Sequence, residues 1–488
     1  MILSNYEPRA VFAHFEAINQ IPRGSGNEKA VSDYIKNFAE NLGCKAVQDQ
    51  WHNLVLYKPA TSGYENQPPI VLQAHLDMVC EKNADTVHDF ATDPIDMYVD
   101  GDYIKARGTT LGADNGLAVA MCMALLEATD IQHPPLEIVL TSEEETGMAG
   151  ARNLDPALVT GRRMINLDST KDWEFIMGCA AGTTVEYLLP VEYENTPAGY
   201  IGYKITVDGL TGGHSGDDIN KERGNANRII GHILAAIVQE NANVCISDIS
   251  GGMKINAIPR EAVATIMFEK KDAGRIDQVL DVCRANFATQ YRATESTLKI
   301  THEPASADRV MTATSVDKLV SSLLLMPSGV LCESKELAGL VNASCNLGVI
   351  ETVCLEGDVS RGHVKFSVMP RGAARFYNEQ TERQISQLAT LTGATVTFMQ
   401  RSPAWPYNPD STLLKTALRC YTPVFGQDAK VTAIHAGLEC GLFSEKLPGL
   451  DIIAFGATNI DLHTPDERLS ISSTAKVWEF VVELLGVL

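Results

Sequence analysis

Three short apolar runs in this chain each end in residues that titrate. They are "PPIVLQAHLDMV" (68–79), "LEIVLTSEEETGM" (136–148) and "RRMINLDS" (162–169). Apolar runs of this length, bounded by turn signals, read as strands buried on both faces. Between the first two lie a glycine-rich turn, "GTTLGADNG", and a helical stretch, "LAVAMCMALLEA". Strand, helix, strand, strand in this order predicts an α/β layer with a mostly parallel central sheet and helices on both faces. Open sheets of that kind bind ligands beyond the carboxyl ends of their strands, which is where the titrating residues fall.

The flanking segments set the domain plan. The first 60 residues read as helix, turn, helix. "SGNEKAVSDYIKNFAENLG" opens on a capping-box pattern, Ser25 to Glu28, and stacks Val31, Ile35, Phe38 and Leu42 at helical spacing. After Gly182 the texture changes. "IGYKITVDGL", "EAVATIMFEK" and "STLKITHE" alternate like strands with one solvated face, and "DAGRIDQVLDVCRANFATQY" lies between the last two as a helix. A second round follows, with helices at "SVDKLVSSLLLM" and "NEQTERQISQLATLTG" and strands at "LGVIETVCL", "HVKFSVMP" and "ATVTFMQ". "KINAIPREAVA" and "LVNASCNLGVI" read as corresponding strand entries. Residues 185–398 are thus expected to form an inserted α+β domain of two similar halves. Residues 1–184 and 399–488, which include the strand "DIIAFGA" and the closing helix "STAKVWEFVVELLGVL", would form one discontinuous catalytic domain.

Composition narrows the function classes. A formal charge of −21, from 61 acidic and 40 basic side chains, argues against nucleic acid or an anionic membrane as partner. The 11 cysteines are dispersed, with no C-x-x-C, so neither a disulfide framework nor a thiolate metal site is expected. "MILSNYEPRA" lacks the pattern of a signal peptide. No apolar run reaches the roughly 20 residues that span a bilayer. A soluble enzyme of the cytoplasm is the expectation.

The strand-end residues define its chemistry. His75 and Asp77, Asp114, Glu144 and Glu145, Asp168 and the late His463 offer imidazole nitrogen and carboxylate oxygen, a ligand set suited to zinc, manganese or cobalt. Five ligand candidates with a carboxylate excess fit two ions better than one. Asp114 could bridge them, leaving His75 and Asp168 on one side and Glu145 and His463 on the other. Asp77, two residues beyond His75 and so on the same strand face, is placed to orient the imidazole. Glu144 would stay unligated as general base, and Glu143 would face solvent or cap the next helix. Taken singly each residue has a simpler reading: a surface histidine beside an aspartate, acids complementing a helix dipole, a turn aspartate before Asn-Gly. Their joint occurrence at strand ends favours the metal site.

The motifs "HLD", "RGTTLGADNG", "TSEEETGM", "LDS", "GLTGGHSGDDI", "KINAIPRE", "IHAGLECGLF" and "HTPDE" occur in that order. Together they resemble the aminoacyl-histidine dipeptidases (Xaa-His dipeptidases, peptidase D, bacterial carnosinases) of the di-zinc aminoacylase and carboxypeptidase superfamily. The resemblance runs over nearly the whole chain, and "GLTGGHSGDD" with "HAGLECG" is its most specific part. It implies two zinc ions per subunit, held by His75, Asp114 and Asp168 and by Asp114, Glu145 and His463, with Asp77 and Glu144 catalytic. It implies that the inserted domain is a lid, with His214, Asn256, Arg371 and His435 contacting substrate, and that subunits pair through it as a homodimer. Arg361 competes with Arg371 for the substrate carboxylate. The implied activity is hydrolysis of small dipeptides, aminoacyl-histidine foremost. An N-acyl amino acid deacylase or carboxypeptidase on the same metals, or a silent binding protein on the same fold, are the alternatives.

Overall fold

A computed structural model describes residues 2–240, 243–337, 339–355 and 358–488. Every candidate site residue lies among them; the readings of "MILSNYEPRA" and of the 185–398 span also take in residues outside them. The chain divides into two compact units. The first comprises Met1–Gly178, Tyr407–Ala433 and Leu438–Leu488, and the second Cys179–Pro406 with Ile434–Gly437. The divisions therefore fall near 178 and 406, where the sequence suggested 184 and 398, and four residues around His435 return to the second unit.

In the first unit an eight-stranded sheet runs in the order Lys45–Gln48, Leu54–Lys58, Leu136–Thr141, Ile70–His75, Arg163–Asn166, Asp451–Ala454, Glu174–Cys179, Lys430–Ile434. The middle four strands are parallel to one another. Lys45–Gln48 and Leu54–Lys58 pair antiparallel, as do Asp451–Ala454 and Glu174–Cys179. The hairpin at 45–58 corrects the reading of the first 60 residues as helices alone: two helices, Arg9–Ile18 and Lys29–Asn41, precede it.

Strand periodicity explains how one sheet serves both core and chemistry. Ile70, Leu72 and Ala74 point into the apolar core with the helices Arg9–Ile18, Ala113–Glu127, Thr412–Phe425 and Ile471–Val487. The alternate positions Gln73 and His75 are just as buried but polar. In the Lys29–Asn41 helix Val31 and Ile35 are buried, whereas Leu42, expected on the same stripe, is exposed as the C-cap.

The second unit holds a ten-stranded sheet: two copies of strand–helix–strand–strand–helix–strand supply eight strands, and the short strands Arg309–Met311 and Gly329–Glu333 add to the second copy. One copy is Tyr200–Asp208, Ala226–Glu240, Cys245–Gly251, Ala262–Glu269, Ala273–Gln290 and Lys299–Ala305. The other is Ala181–Asn195, Ala313–Leu325, Val341–Leu355, Asp358–Gly372, Arg375–Thr392 and Thr395–Ser402. In each copy the first strand pairs with the third and fourth, and the third with the second. The copies join where Ser250 and Gly251 pair with Glu351 and Ile350. Two expectations change. The second copy takes its first strand from before the first copy, so the halves are not consecutive. "KINAIPREAVA" leads into a third strand and "LVNASCNLGVI" into a second, so these phrases do not correspond.

Candidate metal centre

Parallel register brings the chemistry together. His75 pairs with Thr141, and Gln73 with both Val139 and Asn166. The segments leaving these strands, at 76–78, 142–145 and 167–168, therefore start side by side. Asp114 comes from the turn opening the Ala113–Glu127 helix, where its φ and ψ of −83° and 107° are not helical and its peptide to Asn115 is cis. Asn115 is more than a turn residue. Its Oδ1 accepts the N–H of His75 (3.3 Å), and its Nδ2 donates to Leu167 O (3.2 Å) and Asp168 Oδ1 (3.3 Å). His463 lies between the short strands Asn459–Ile460 and Arg468–Ser470, with a left-handed φ of 59°.

The side chains form two groups that share one residue. His75 Nε2 lies 3.1 Å from Asp114 Oδ1 and 3.7 Å from Asp168 Oδ1. His463 Nε2 lies 3.5 Å from Asp114 Oδ2 and 3.1 Å from Glu145 Oε1. Each oxygen of Asp114 thus faces a different histidine. Ligand atoms about 2.0–2.1 Å from a tetrahedral zinc are separated by about 3.3–3.4 Å, and these four distances straddle that value. The nitrogen and oxygen donors therefore fit a divalent ion in each group. His75 also makes a third group with Glu144 and Glu145 within 4.8 Å. That group lacks the shared aspartate, and it sets the Glu144 carboxylate beside both ligand groups.

The electrostatics show a cluster short of positive charge. Burial alone would lower the pKa of His75, but contacts with Asp114, Asp168 and Asp77 raise it well above the ordinary value. Hydrogen bonds to Asp114 and Glu145 push His463 up to about 10. Burial opposes ionisation of Asp114, yet the two imidazoles hold it well below the usual carboxylate range. Glu144 moves the other way, raised well above its normal value by burial and by the charges of Asp168, Glu439 and Glu145. Burial raises Glu145 and Asp168 as well. Two imidazoles do not balance these carboxylates, and divalent cations would.

The three consecutive glutamates are held by their backbone. Glu143 adopts a left-handed φ of 52°, and its N–H donates to Glu28 Oε1 (3.0 Å). The N–H groups of Glu144 and Glu145 donate to Asp77 Oδ1 (3.0 Å) and Oδ2 (3.2 Å). Ser25 Oγ donates to the same Asp77 Oδ2 at 2.7 Å. The Ser25–Glu28 pattern is accordingly not a capping box. The Lys29–Asn41 helix has no side-chain cap, and both residues serve the glutamate loop instead. Nor does Glu143 cap the helix Ala149–Asn153, which begins at Met148 without a side-chain bond. Asp77 Oδ1 stands 3.3 Å from His75 Nδ1, in ion-pair range but not aligned as a hydrogen bond.

Below the cluster lies a carboxyl that the sequence reading did not single out. Glu439 is fully buried, and its Oε2 accepts from Gln73 Nε2 and Thr141 Oγ1, both at 2.6 Å. Burial, against the Thr141 bond, pushes it up to about 8. Its signal was its place in "IHAGLECGLF", and only the fold reveals that it reaches two strands.

The other candidates belong to the second unit and are described within it. Arg371 is 6% exposed and donates to Ser215 Oγ at 3.4 Å, while its Nε has no hydrogen-bond partner. His435 Nε2 lies 2.7 Å from Ser344 Oγ, and burial followed by the Arg371 charge pushes its pKa down to about 3. His214 sits 3.4 Å from Asp217 Oδ2. Asn256 is exposed, and its carbonyl accepts the N–H of Ser215 at 2.9 Å. Arg361 is not part of this cluster. It is exposed near the other end of the Asp358–Gly372 strand, paired with Asp358, roughly 33 Å along the chain from Arg371 at about 3.3 Å per residue.

The likeness to known proteins runs along nearly the whole chain. The model of peptidase family M20/M25/M40 matches residues 71–486. The chain is 36% identical over 484 residues to the cytosol non-specific dipeptidase of Escherichia coli K12, covering 99% of this chain and 98% of that protein. It is similar to the crystal structure of aminoacylhistidine dipeptidase from Vibrio alginolyticus, with a TM-score of 0.93 and 36% identity over 100% of this chain and 98% of that one. A tripeptidase from Staphylococcus aureus shares the fold, with a TM-score of 0.60 at 16% identity over 99% and 98% of the two chains.

Proposed function

The chain belongs to peptidase family M20/M25/M40, and from that premise we propose that it is a metal-dependent dipeptidase acting on aminoacyl-histidine. The observation that carries this reading is the divided Asp114 carboxylate, one oxygen toward His75 and the other toward His463. His75, Asp114 and Asp168 would hold one zinc ion, and Asp114, Glu145 and His463 a second, with cobalt or manganese as substitutes. Such ions supply Lewis acidity, polarising the scissile carbonyl and easing ionisation of water.

The chain's own groups do the rest. Glu144, beside both groups and bound to neither in this reading, takes the proton of the attacking water and returns it to the leaving amine. Asp77 fixes the backbone from which Glu144 projects and faces the inner nitrogen of His75. Arg371, a buried cation with an unpaired Nε, is the receiver for the peptide carboxylate. His214 would donate to the developing oxyanion, with Asn256 and His435 completing the substrate contacts. Pairing of subunits through the second unit and residence in the cytoplasm belong to the same proposal. The cytoplasmic reading is supported by the name of the Escherichia coli relative. Among the described residues no helix is long and apolar enough to cross a membrane.

The two relatives' names differ in breadth, one non-specific and one aminoacyl-histidine. The test is hydrolysis of alanyl-histidine, β-alanyl-histidine, alanyl-alanine and N-acetyl-histidine by chelator-stripped protein, before and after zinc is restored. Zinc-dependent release of histidine from the first two, faster than cleavage of alanyl-alanine, is expected. Cleavage of N-acetyl-histidine alone would overturn the dipeptidase reading in favour of a deacylase.

A further inference from the structure

Glu467 closes the motif "HTPDE" four residues after His463 and is 2% exposed. Its carboxylate accepts four consecutive backbone N–H groups. Oε2 takes Leu111 (2.7 Å) and Gly112 (3.0 Å), and Oε1 takes Ala113 (3.0 Å) and Asp114 (3.3 Å). Asn459 Nδ2 adds a fifth donor at 3.0 Å. Nothing about a helix start requires this, because the receiving turn bends away from helical geometry at Asp114 itself.

The opposite side of the same turn is held by Arg23, also 2% exposed. Its guanidinium donates to Gly112 O, to Leu76 O (3.0 Å), to Asp77 O (3.1 Å) and to Asn19 Oδ1 (3.2 Å). Gly112 is thus held on both sides, its N–H by Glu467 and its carbonyl by Arg23. Glycine is needed there twice over. Its φ is 70°, and a Cβ would lie 2.6 Å from both Arg23 Nη2 and Met78 Sδ.

We propose that Glu467 is a positioning residue that fastens the His463 loop to the Asp114 turn, so that the two side chains are delivered to one metal ion as a unit. Arg23 fastens the same turn to the segment that carries His75 and Asp77. The loop is already closed on itself, with Glu467 N donating to Thr464 O (3.1 Å), Thr464 Oγ to Asp461 O (2.7 Å), and Arg468 paired with Asp461 (3.1 Å). A rigid loop tied to the turn at one buried carboxylate sets where His463 meets Asp114 Oδ2. Such supporting groups typically govern metal affinity about 10–100-fold.

The inference rests on the two-ion reading above, and the test separates them. Zinc affinity is measured by competition with a chromophoric chelator, with stoichiometry by elemental analysis, in wild type and Glu467→Gln. The amide keeps the size but turns an NH2 toward backbone donors. Wild type is expected to bind two ions. The variant should bind one ion within a few-fold of wild type and the other about 10–100-fold more weakly. A general loss of structure would weaken both alike. Wild-type affinities at both sites, or equal loss at both, would overturn the proposal, and a wild type that binds fewer than two ions would overturn the reading beneath it. Should Glu467→Gln not fold, Asn459→Ala removes one donor from the same carboxylate. Unequal loss is expected there too, and unchanged affinity at both sites would overturn the proposal.

Discussion

Asp77 Oδ1 accepts the backbone N–H of Glu144 at 3.0 Å while standing 3.3 Å from His75 Nδ1. One carboxylate therefore faces both the proposed ligand His75 and the backbone of the proposed base Glu144. Replacing Asp77 by Ala leaves the N–H groups of Glu144 and Glu145 without their acceptor and removes the charge facing His75 Nδ1. Charge-assisted bonds of this kind contribute about 1.5–3 kcal/mol each. Asp77→Ala should lower kcat by roughly 10²–10³-fold with a far smaller change in KM. Steady-state kinetics on alanyl-histidine check this, and a loss confined to KM would contradict it.

Glu144 has a different signature. On the proposed mechanism Glu144→Gln removes the proton acceptor but none of the ligand set, so kcat should fall about 10²–10⁴-fold. Zinc content should not change. Elemental analysis alongside kinetics reads both, and near-wild-type turnover would remove Glu144 from the chemistry.

The two arginines separate by burial. Arg371→Ala should raise KM for a dipeptide by roughly 10–150-fold, the equivalent of about 1.5–3 kcal/mol for a bond to a charged group. The penalty should shrink for the same dipeptide amidated at its C-terminus. Arg361→Ala should change neither, because Arg361 is exposed and paired with Asp358.

His435 makes stability depend on pH. Its folded value of about 3 lies below the ordinary 6.5, chiefly through burial and then through the Arg371 charge, with Asp217 opposing and His214 adding. Between those values the unfolded chain binds the extra proton, so this contribution is complete above about pH 6.5 and is lost as pH falls toward 3. His435→Asn should flatten that part of the profile. Urea melts of both proteins from pH 7 to 4 check it, and parallel curves would contradict it.

The grouping of the candidate site was legible because strand periodicity reports side-chain direction locally: His75, Asp77, the glutamate run and Asp168 follow apolar runs, and the parallel register aligns their ends. What escaped depends on contacts distant in sequence. Ser25 and Glu28 carry a sequence pattern that fits a helix cap, and only the 52-residue and 115-residue separations to Asp77 and Glu143 reveal their use. The second unit's halves were read as consecutive because strand Ala181–Asn195, paired with Asp358–Gly372, precedes the copy it does not belong to. Glu467 sits inside "HTPDE", but the four backbone N–H groups it accepts lie more than 350 residues away.

The central claim is that the two oxygens of Asp114 serve two ions. Anomalous diffraction at the zinc edge from zinc-loaded crystals tests it directly. Two peaks are expected, roughly 3.5–4 Å apart, one beside His75 and Asp168 and the other beside Glu145 and His463, with Asp114 between them. A single peak, or a pair that leaves Asp114 on one side, would contradict it.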